Sequence, residues 1–532
     1  MTLGILPDGK LPHVPGTVLL DDVAAHAEGA AGLKHGRGHI VLNPQPSEDP
    51  NDPLNWPHWK KEVITAILCL GAVLHAGTNG PLLNASYFAI AERLRTPITN
   101  VVVFSGYNLL AAGASGPLYC ALSRRYGKRS CFLVSALFDI IGTAIGQSKI
   151  SYNHLLAARI IQGFSTSAYE SLTISAIGDM YFVHQRGLRV SILNFCLLAA
   201  SGLASIICGV VFDRLGWLWL FHLFQIALVI QFLLLFFFCP ESAYIRDHRY
   251  DTDTQEEEKI EELVHMEEEA RRTSTYRRDS DKIMEQTISR DVQTVPVPPK
   301  KSFFQELAVY TRVYSRDNIF KLIFGPFLTL LNPAACYTIV AAGMVSAFYV
   351  GSSIIISLVF SGPPWFYNVS QVAYIGAGPF IGGMVGGFIM SLLSDRAAMV
   401  IYALGAFLFG YTMHTGAAGP LNAFVWGIMQ CGVVIAVSAA SAYALDAFRD
   451  ESNEIFIIAM LFKNFIFYGF SNFINNWAFK SGPAQIMNVF GGLGIFLCLL
   501  AVPVYCFGKK LRSWWARHNL FRILKMKTEE AA

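Results

Sequence analysis

Charge is what this chain has least of. Of its 532 residues only 15% are Asp, Glu, Lys or Arg, while 53% are hydrophobic and the mean hydropathy is +0.42. Soluble domains carry roughly 25% charged residues. Paired cysteines are missing too. All ten, at positions 69, 120, 131, 196, 208, 239, 336, 431, 498 and 506, fall within or at the edge of apolar runs, and none form a C-x-x-C. This pattern argues against a disulfide framework and against a zinc site. Residues 1–60 contain no apolar core behind a basic start, so a cleaved signal peptide is not expected. Absent as well are H-E-x-x-H, G-x-S-x-G and the Walker-type G-x-x-x-x-G-K-[ST]. The chain is therefore expected to be no enzyme, to need no cofactor or metal, and to draw on ion or solute gradients. No basic, aromatic-interleaved soluble domain is available for nucleic acid.

What the chain does have is apolar length. Runs of about 20 apolar residues recur, the length that crosses a bilayer as a helix. They predict spans near 63–84, 100–121, 131–148, 153–175, 189–211 and 219–239, then near 325–350, 371–393, 398–414, 421–443, 455–475 and 485–507. The seventh is broken by Gly325-Pro326 and Asn332-Pro333 and is expected to be bent or long. The expected architecture is an all-α membrane protein with twelve transmembrane helices in two six-helix halves. Its parts are a disordered cytoplasmic arm (1–60), an N-terminal half (61–240), a cytoplasmic central loop (241–318), a C-terminal half (319–508) and a basic tail (509–532). Trp56 and Trp59 at the end of the arm are expected to anchor at the headgroups.

With both termini cytoplasmic, the inner loops gather Arg124, Arg125, Lys128, Arg129, Arg186 and Arg189, and the tail adds Lys509, Lys510, Arg512 and Arg517. This bias follows the positive-inside rule. Sequons at Asn84 and Asn368 fall in predicted outer loops and are candidate glycosylation sites. In the charged central loop, Ser274 and Ser280 end R-R-x-S patterns and are candidate phosphorylation sites.

The stretch 152–190 is unusual because its apolar middle carries Arg159 and Glu170. A charge near the bilayer centre costs roughly 2.5–3.5 kcal/mol on insertion scales and survives where it faces protein or a watery cavity. Eleven positions span about 16 Å and about three turns, which puts both on one helix face. A pathway for a polar or charged solute is one reading. The other is an ion pair that pins two helices.

Two sixes of helices around a long inner loop resemble the major facilitator superfamily, and local motifs sharpen the likeness. LYCALSRRYGKR (Leu118–Arg129) is similar to the family's basic turn between helices 2 and 3, with Gly127 permitting the turn and Arg125, Lys128 and Arg129 available to helix ends and headgroups. LLAARIIQG (Leu155–Gly163) is similar to the helix 4 pattern, with Arg159 as its arginine. Asp395-Arg396 echoes the basic turn in the second half. ESLTISAIGDMYFVHQRG (Glu170–Gly187), PESAYIRDHRYDTD (Pro240–Asp253), SAYALDAFRDESNE (Ser441–Glu454) and LFKNF (Leu461–Phe465) resemble fungal drug:proton antiporter-type facilitators. That branch includes yeast polyamine and histidinol transporters and exporters of secondary metabolites. The chain departs from the pattern at Arg124, where the family usually has an acid, and at Cys120, which replaces a glycine. In helix 5, Ala204-Ser205 stands in place of Gly-Pro.

The resemblance implies a substrate site between the halves, reached by rocking one half against the other. It puts His75, Asn79, Tyr107, Asn108, Arg159, Glu170, Asn194, Lys463 and Asn464 among the candidates for substrate or proton binding. Glu170 leads, as an acid that loads a proton and releases it when a cation or Arg159 approaches. Asp139, on an outer helix of that layout, is expected to be structural, and Lys463 to have an anionic partner. The expected partners are a small-molecule substrate, the bilayer and protons, with the chain acting as a monomer in the plasma or vacuolar membrane. Three functions stay open: export of a metabolite or toxic compound, proton-coupled import of organic cations such as polyamines, and nutrient sensing without transport.

Overall fold

A computed structural model describes residues 46–518 apart from 150, 199, 245–298, 311, 316, 390–394, 449 and 450. Ser274 and Ser280 lie outside the described residues. The N-terminal half is built from α1 (His58–Leu94), α2 (Ile98–Tyr126), α3 (Lys128–Ser148), α4 (Tyr152–Met180), α5 (Gln185–Leu215) and α6 (Trp217–Phe238). The C-terminal half is built from α7 (Pro333–Ser361), α8 (Ala377–Ile389), α9 (Asp395–His414), α10 (Gly419–Ala447), α11 (Ser452–Ser481) and α12 (Pro483–Arg517). Among the described residues nine helices are long and apolar enough to cross a membrane; α4, α8 and α9 are not among them.

The case of α4 has a plain cause. Besides its charges it carries Gln162, Ser165, Thr166, Ser167, Ser171 and Thr173, all buried. Packed against α2, α3, α11 and the middle of α1, it has protein and not lipid on most sides, so its surface need not be apolar.

Two spans differ from expectation. The first does not end near 84. It continues through a π-helical turn (Ala72–Thr78) and a 3-10 stretch (Pro81–Ser86) to Leu94. The seventh is divided at Asn332, whose side chain caps Pro333–Ser361 by accepting from the amides of Ala334 and Ala335. The stretch before it (Ile319–Leu331) is a separate short apolar helix. Proline suits the first helical turn because it lacks an N–H that would go unbonded there.

The halves meet where α2 packs on α11 and where α5 packs on α8 and α10. Within the C-terminal half, α8 and α10 approach through backbone: a Cβ on Gly378 or Gly382 would fall inside the main chain at Ala423 or Gly427. The edges of the arm and of the central loop are built into the N-terminal half. Asp52 accepts from Ser47 and Leu54, Lys61 reaches the Leu54 carbonyl at 2.9 Å, and Lys60 pairs with Glu306 at 2.8 Å. The basic tail begins as a continuation of α12, where Trp515 donates to Glu451 at 3.0 Å.

Candidate functional site

A cavity of about 190 Å³ lies between the halves. Its wall is made by α1, α2, α4, α5, α7, α10 and α11, with Val372 and Gly376 from the stretch before α8. Hydroxyls reach it from both halves, among them Thr166, Ser201, Ser346 and Ser441. At one place Tyr349 stacks on Trp426, with ring centroids 5.7 Å apart. Such a wall offers apolar and aromatic surface with scattered hydrogen-bonding groups, the usual make-up of a small-molecule site.

One ion pair stands in this wall. Lys463 of α11 donates to Glu170 of α4, and Asn464 Nδ2 donates to the second carboxylate oxygen at 3.2 Å. The pair joins the two halves. Its side chains are 16% and 15% exposed, so both are largely desolvated yet reach the cavity. Glu170 thus points to the cleft and not to acyl chains, and its partner is Lys463, not Arg159. Asn194 of α5 also lines the cavity, and its Nδ2 has no hydrogen-bond partner among the described residues.

Other candidates stand elsewhere. Arg159 is fully buried behind the cavity wall. Its Nη2 donates to the Gly80 carbonyl at 3.1 Å and to Ser105 Oγ at 3.2 Å, and Nη1 donates to Gln162 Oε1 at 3.1 Å. Gly80 and Ser105 themselves line the cavity. Asn108 is buried on the Arg159 carbonyl at 2.9 Å. Tyr107 is off the cavity wall and packs on Tyr468 of α11, 5.4 Å between centroids. His75 and Asn79 are not on the cavity wall either. They turn into the N-terminal half, where both contact Asp139. The physical reason is the π turn of α1, which rotates His75 away from the face that Ala76, Gly77 and Gly80 present to the cavity.

The basic turn is organised at one end of the bundle. Gly127 has φ +92, and a Cβ there would overlap the Glu241 carboxylate. That carboxylate accepts from the amides of Lys128 at 2.9 Å and Arg129 at 3.1 Å, at the start of α3. Burial pushes the Glu241 carboxyl above its ordinary range, against the pull of the backbone N–H groups of Ala243, Lys128 and Arg129. Lys128 donates to Asp179 at the end of α4, 2.8 Å away. Arg129 donates to four carbonyls: Phe236 in the last turn of α6, Cys239 just after it, and Glu306 and Leu307 of the central loop. The Arg125 guanidinium lies over the Tyr126 ring at 5.6 Å. Arg124 pairs with Glu454 at the head of α11. Asp395 and Arg396 open α9, but their side chains lie outside the description.

Asn84 corrects an expectation. It is not in an outer loop: it sits in the 3-10 stretch of α1, on the cavity wall, donating to Ser353 of α7 at 3.0 Å and accepting from Tyr87 at 2.7 Å. Asn368 is exposed between α7 and α8 and caps the short helix Val369–Tyr374. Sequence reasoning missed Gln231, which binds His75 and Tyr169 from α6. The signal was present, since Gln231 interrupts a very apolar helix. It also missed the pairing of Arg124 with Glu454, which joins residues far apart in the chain.

Among the described residues the chain is an all-helical bundle in two halves around a largely apolar cavity with scattered hydrogen-bonding groups, the architecture of a solute transporter. The Major Facilitator Superfamily profile matches residues 67–470, and the chain belongs to that family. An uncharacterized MFS-type transporter of Schizosaccharomyces pombe is 24% identical over 96% of this chain and 94% of its own. Protein HOL1 of Saccharomyces cerevisiae is 20% identical over 92% of this chain and 93% of its own. Antiporters and efflux pumps of Candida and Aspergillus match over shorter stretches, which places the chain in the fungal drug-antiporter-like branch. Among solved structures, the Escherichia coli proton:xylose symporter XylE aligns with a TM-score of 0.57 and 14% identity, over 86% of this chain and all of that one. The protein is a multi-pass integral membrane transporter of small molecules by secondary transport.

Proposed function

We propose that the protein exports a small organic molecule, a secondary metabolite or toxic compound, by alternating access. The observation that carries this reading is the cavity between the halves with Glu170 and Lys463 paired across it. The pair joins α4 to α11, so a substrate that reaches either charge loosens a contact between the halves. Aromatic and hydroxyl-bearing walls suit a mostly apolar solute with a few polar groups. The antiporter and efflux-pump names of relatives favour export. Organic-cation import is the second reading, favoured by an acid in the cavity. It requires the cation to displace Lys463 from Glu170.

The proposed topology is twelve spans, with α4, α8 and α9 completing the nine apolar helices and both termini cytoplasmic. The plasma membrane is the proposed location, with the vacuolar membrane as the alternative. Glu170, Lys463, Asn464 and Asn194 form the proposed substrate site. The test is reconstitution in liposomes with an imposed pH gradient, comparing labelled polyamines with hydrophobic metabolites for wild type and Glu170→Gln. The variant is expected to lose about tenfold or more in flux. Full flux in Glu170→Gln would remove Glu170 from the site, and substrate binding without flux would turn the reading to a sensor.

A further inference from the structure

The cavity wall is nearly empty of charge. Among the described residues that line it, Glu170 and Lys463 alone carry a formal charge, one of each sign, and they pair with each other. Arg159, the next cation, is sealed behind the wall on the Gly80 carbonyl, Ser105 and Gln162. The charged spot is also small. On α11, Lys463 stands one turn from Met460 and one turn from Phe467, and all three line the cavity. On α4, Glu170 stands one turn from Thr166 and one turn from Ile174, which line it too. One acid and one base therefore sit together in a wall that is otherwise apolar or hydroxyl-bearing.

A count of charge says which solute suits this spot. A monocation that takes Glu170 displaces Lys463 and strands an ammonium in a largely desolvated wall. A monoanion that takes Lys463 strands Glu170 in the same way. Either stranded charge is costly where water is scarce. A zwitterion instead replaces one ion pair by two, and the charge summed over the site stays at zero. The contacts of Glu170 are divided to suit this exchange. Lys463 holds Oε1, and Asn464 donates to Oε2 at 3.2 Å. A carboxylate only accepts, so the Asn464 amide must turn its NH₂ group to it. When Lys463 swings to an incoming carboxylate, Oε1 is free for an incoming ammonium, while Asn464 still holds the acid in place.

We propose that the substrate is a small zwitterion with a compact head and an apolar or aromatic body. The head carries its ammonium and carboxylate on one carbon, as an α-amino acid does. This deepens the reading of the cavity as the substrate site and rests on it. The two charges of the site touch each other, so the two charges of the solute must lie close together as well. The ammonium lies on Glu170 of α4 and the carboxylate on Lys463 of α11. The bound solute then bridges the halves where the ion pair joined them before. Its body rests on the apolar wall, where Tyr349 and Trp426 offer aromatic surface. A polyamine fits poorly, because its charges are spread along a chain and the wall holds a single acid.

Three probes with the same phenyl body separate the possibilities: phenylalanine, phenethylamine, which lacks the carboxylate, and 3-phenylpropionate, which lacks the ammonium. Their binding at pH 7 would be measured by calorimetry on the full-length protein in lipid nanodiscs. Wild type is expected to bind phenylalanine about tenfold or more tighter than either other probe. Lys463→Gln is expected to prefer phenethylamine, and Glu170→Gln to prefer 3-phenylpropionate. The exchanged pair Glu170→Lys with Lys463→Glu is expected to return the preference to phenylalanine, since a zwitterion can bind end for end. A misfolded variant loses all three probes and a lowered melting temperature identifies it, whereas a switch of preference needs a folded site. The proposal is overturned if wild type prefers a singly charged probe, if it binds none of the three, or if both single variants keep the wild-type order. Counterflow of labelled phenylalanine in liposomes tests the underlying reading separately. Binding without flux keeps the zwitterion site and removes the transporter, while flux of a polyamine or hydrophobic metabolite without phenylalanine binding keeps the transporter and removes the zwitterion.

Discussion

Several buried charges in this protein are paired across helix boundaries, and the pairs explain why those residues are tolerated. Arg124 on α2 would be an unpaired cation beside the bilayer without Glu454 on α11. The sequence shows only that Arg124 stands where the family usually has an acid. The structure shows the acid on the opposite helix, so the sign of the contact is reversed and the contact is kept. Breaking a buried pair by removing one partner costs about 3–5 kcal/mol, because the other charge is stranded. Arg124→Ala and Glu454→Ala are each expected to lower the melting temperature sharply, whereas the exchanged pair Arg124→Glu with Glu454→Arg recovers most of it. Melting of the three variants in detergent would check this, and an exchanged pair no better than the single variants would disprove it.

At the scale of elements, α1 and the turn before α3 decide the most. The first helix runs on past Asn84, which puts that sequon on the cavity wall, bonded to α7. Its amide nitrogen is engaged there, so Asn84→Gln is expected to leave electrophoretic mobility unchanged after expression in a eukaryotic host. A glycosidase-sensitive shift lost in that variant would contradict the placement. The turn between α2 and α3 depends on Glu241, which is buried against two amides of α3. Its carboxyl is raised above its ordinary 4.5. The native state therefore holds this proton more tightly than the unfolded chain does. The stability gained this way is full below 4.5 and is lost as pH rises through the native value. As pH rises from 4.5, wild type is expected to lose stability relative to Glu241→Gln. Parallel melting curves for the two proteins would refute it.

For the whole molecule, the question is whether the halves move as bodies. They touch through α2 on α11, where the Tyr107 and Tyr468 rings pack at a tilt, and through Lys463 on Glu170. Cysteines at 107 and 468, in a background with the native thiols replaced, are expected to cross-link and to stop flux reversibly, with reductant restoring it. Undiminished flux in the cross-linked protein would mean that this seam does not open.

Much of this was legible beforehand. Apolar run lengths located most helices, because the bilayer imposes a minimum length on any span. Arg159 and Glu170 marked α4, because charge in an apolar run needs a reason. The same logic could not place His75. Periodicity assumes 3.6 residues per turn, and the π turn at Ala72–Thr78 breaks that count. Nor could it join Glu170 to Lys463, since the residues lie in different halves of the chain.

The amino-acid sequence by itself determined that this chain lives in a membrane, that it forms helices and which of them hide charge, for these follow from local length and local polarity. Only the tertiary structure decided which charges meet, which polar groups face the cavity and which are sealed into the N-terminal half. Those facts depend on helix rotation and on contacts between distant segments, and no local pattern encodes either.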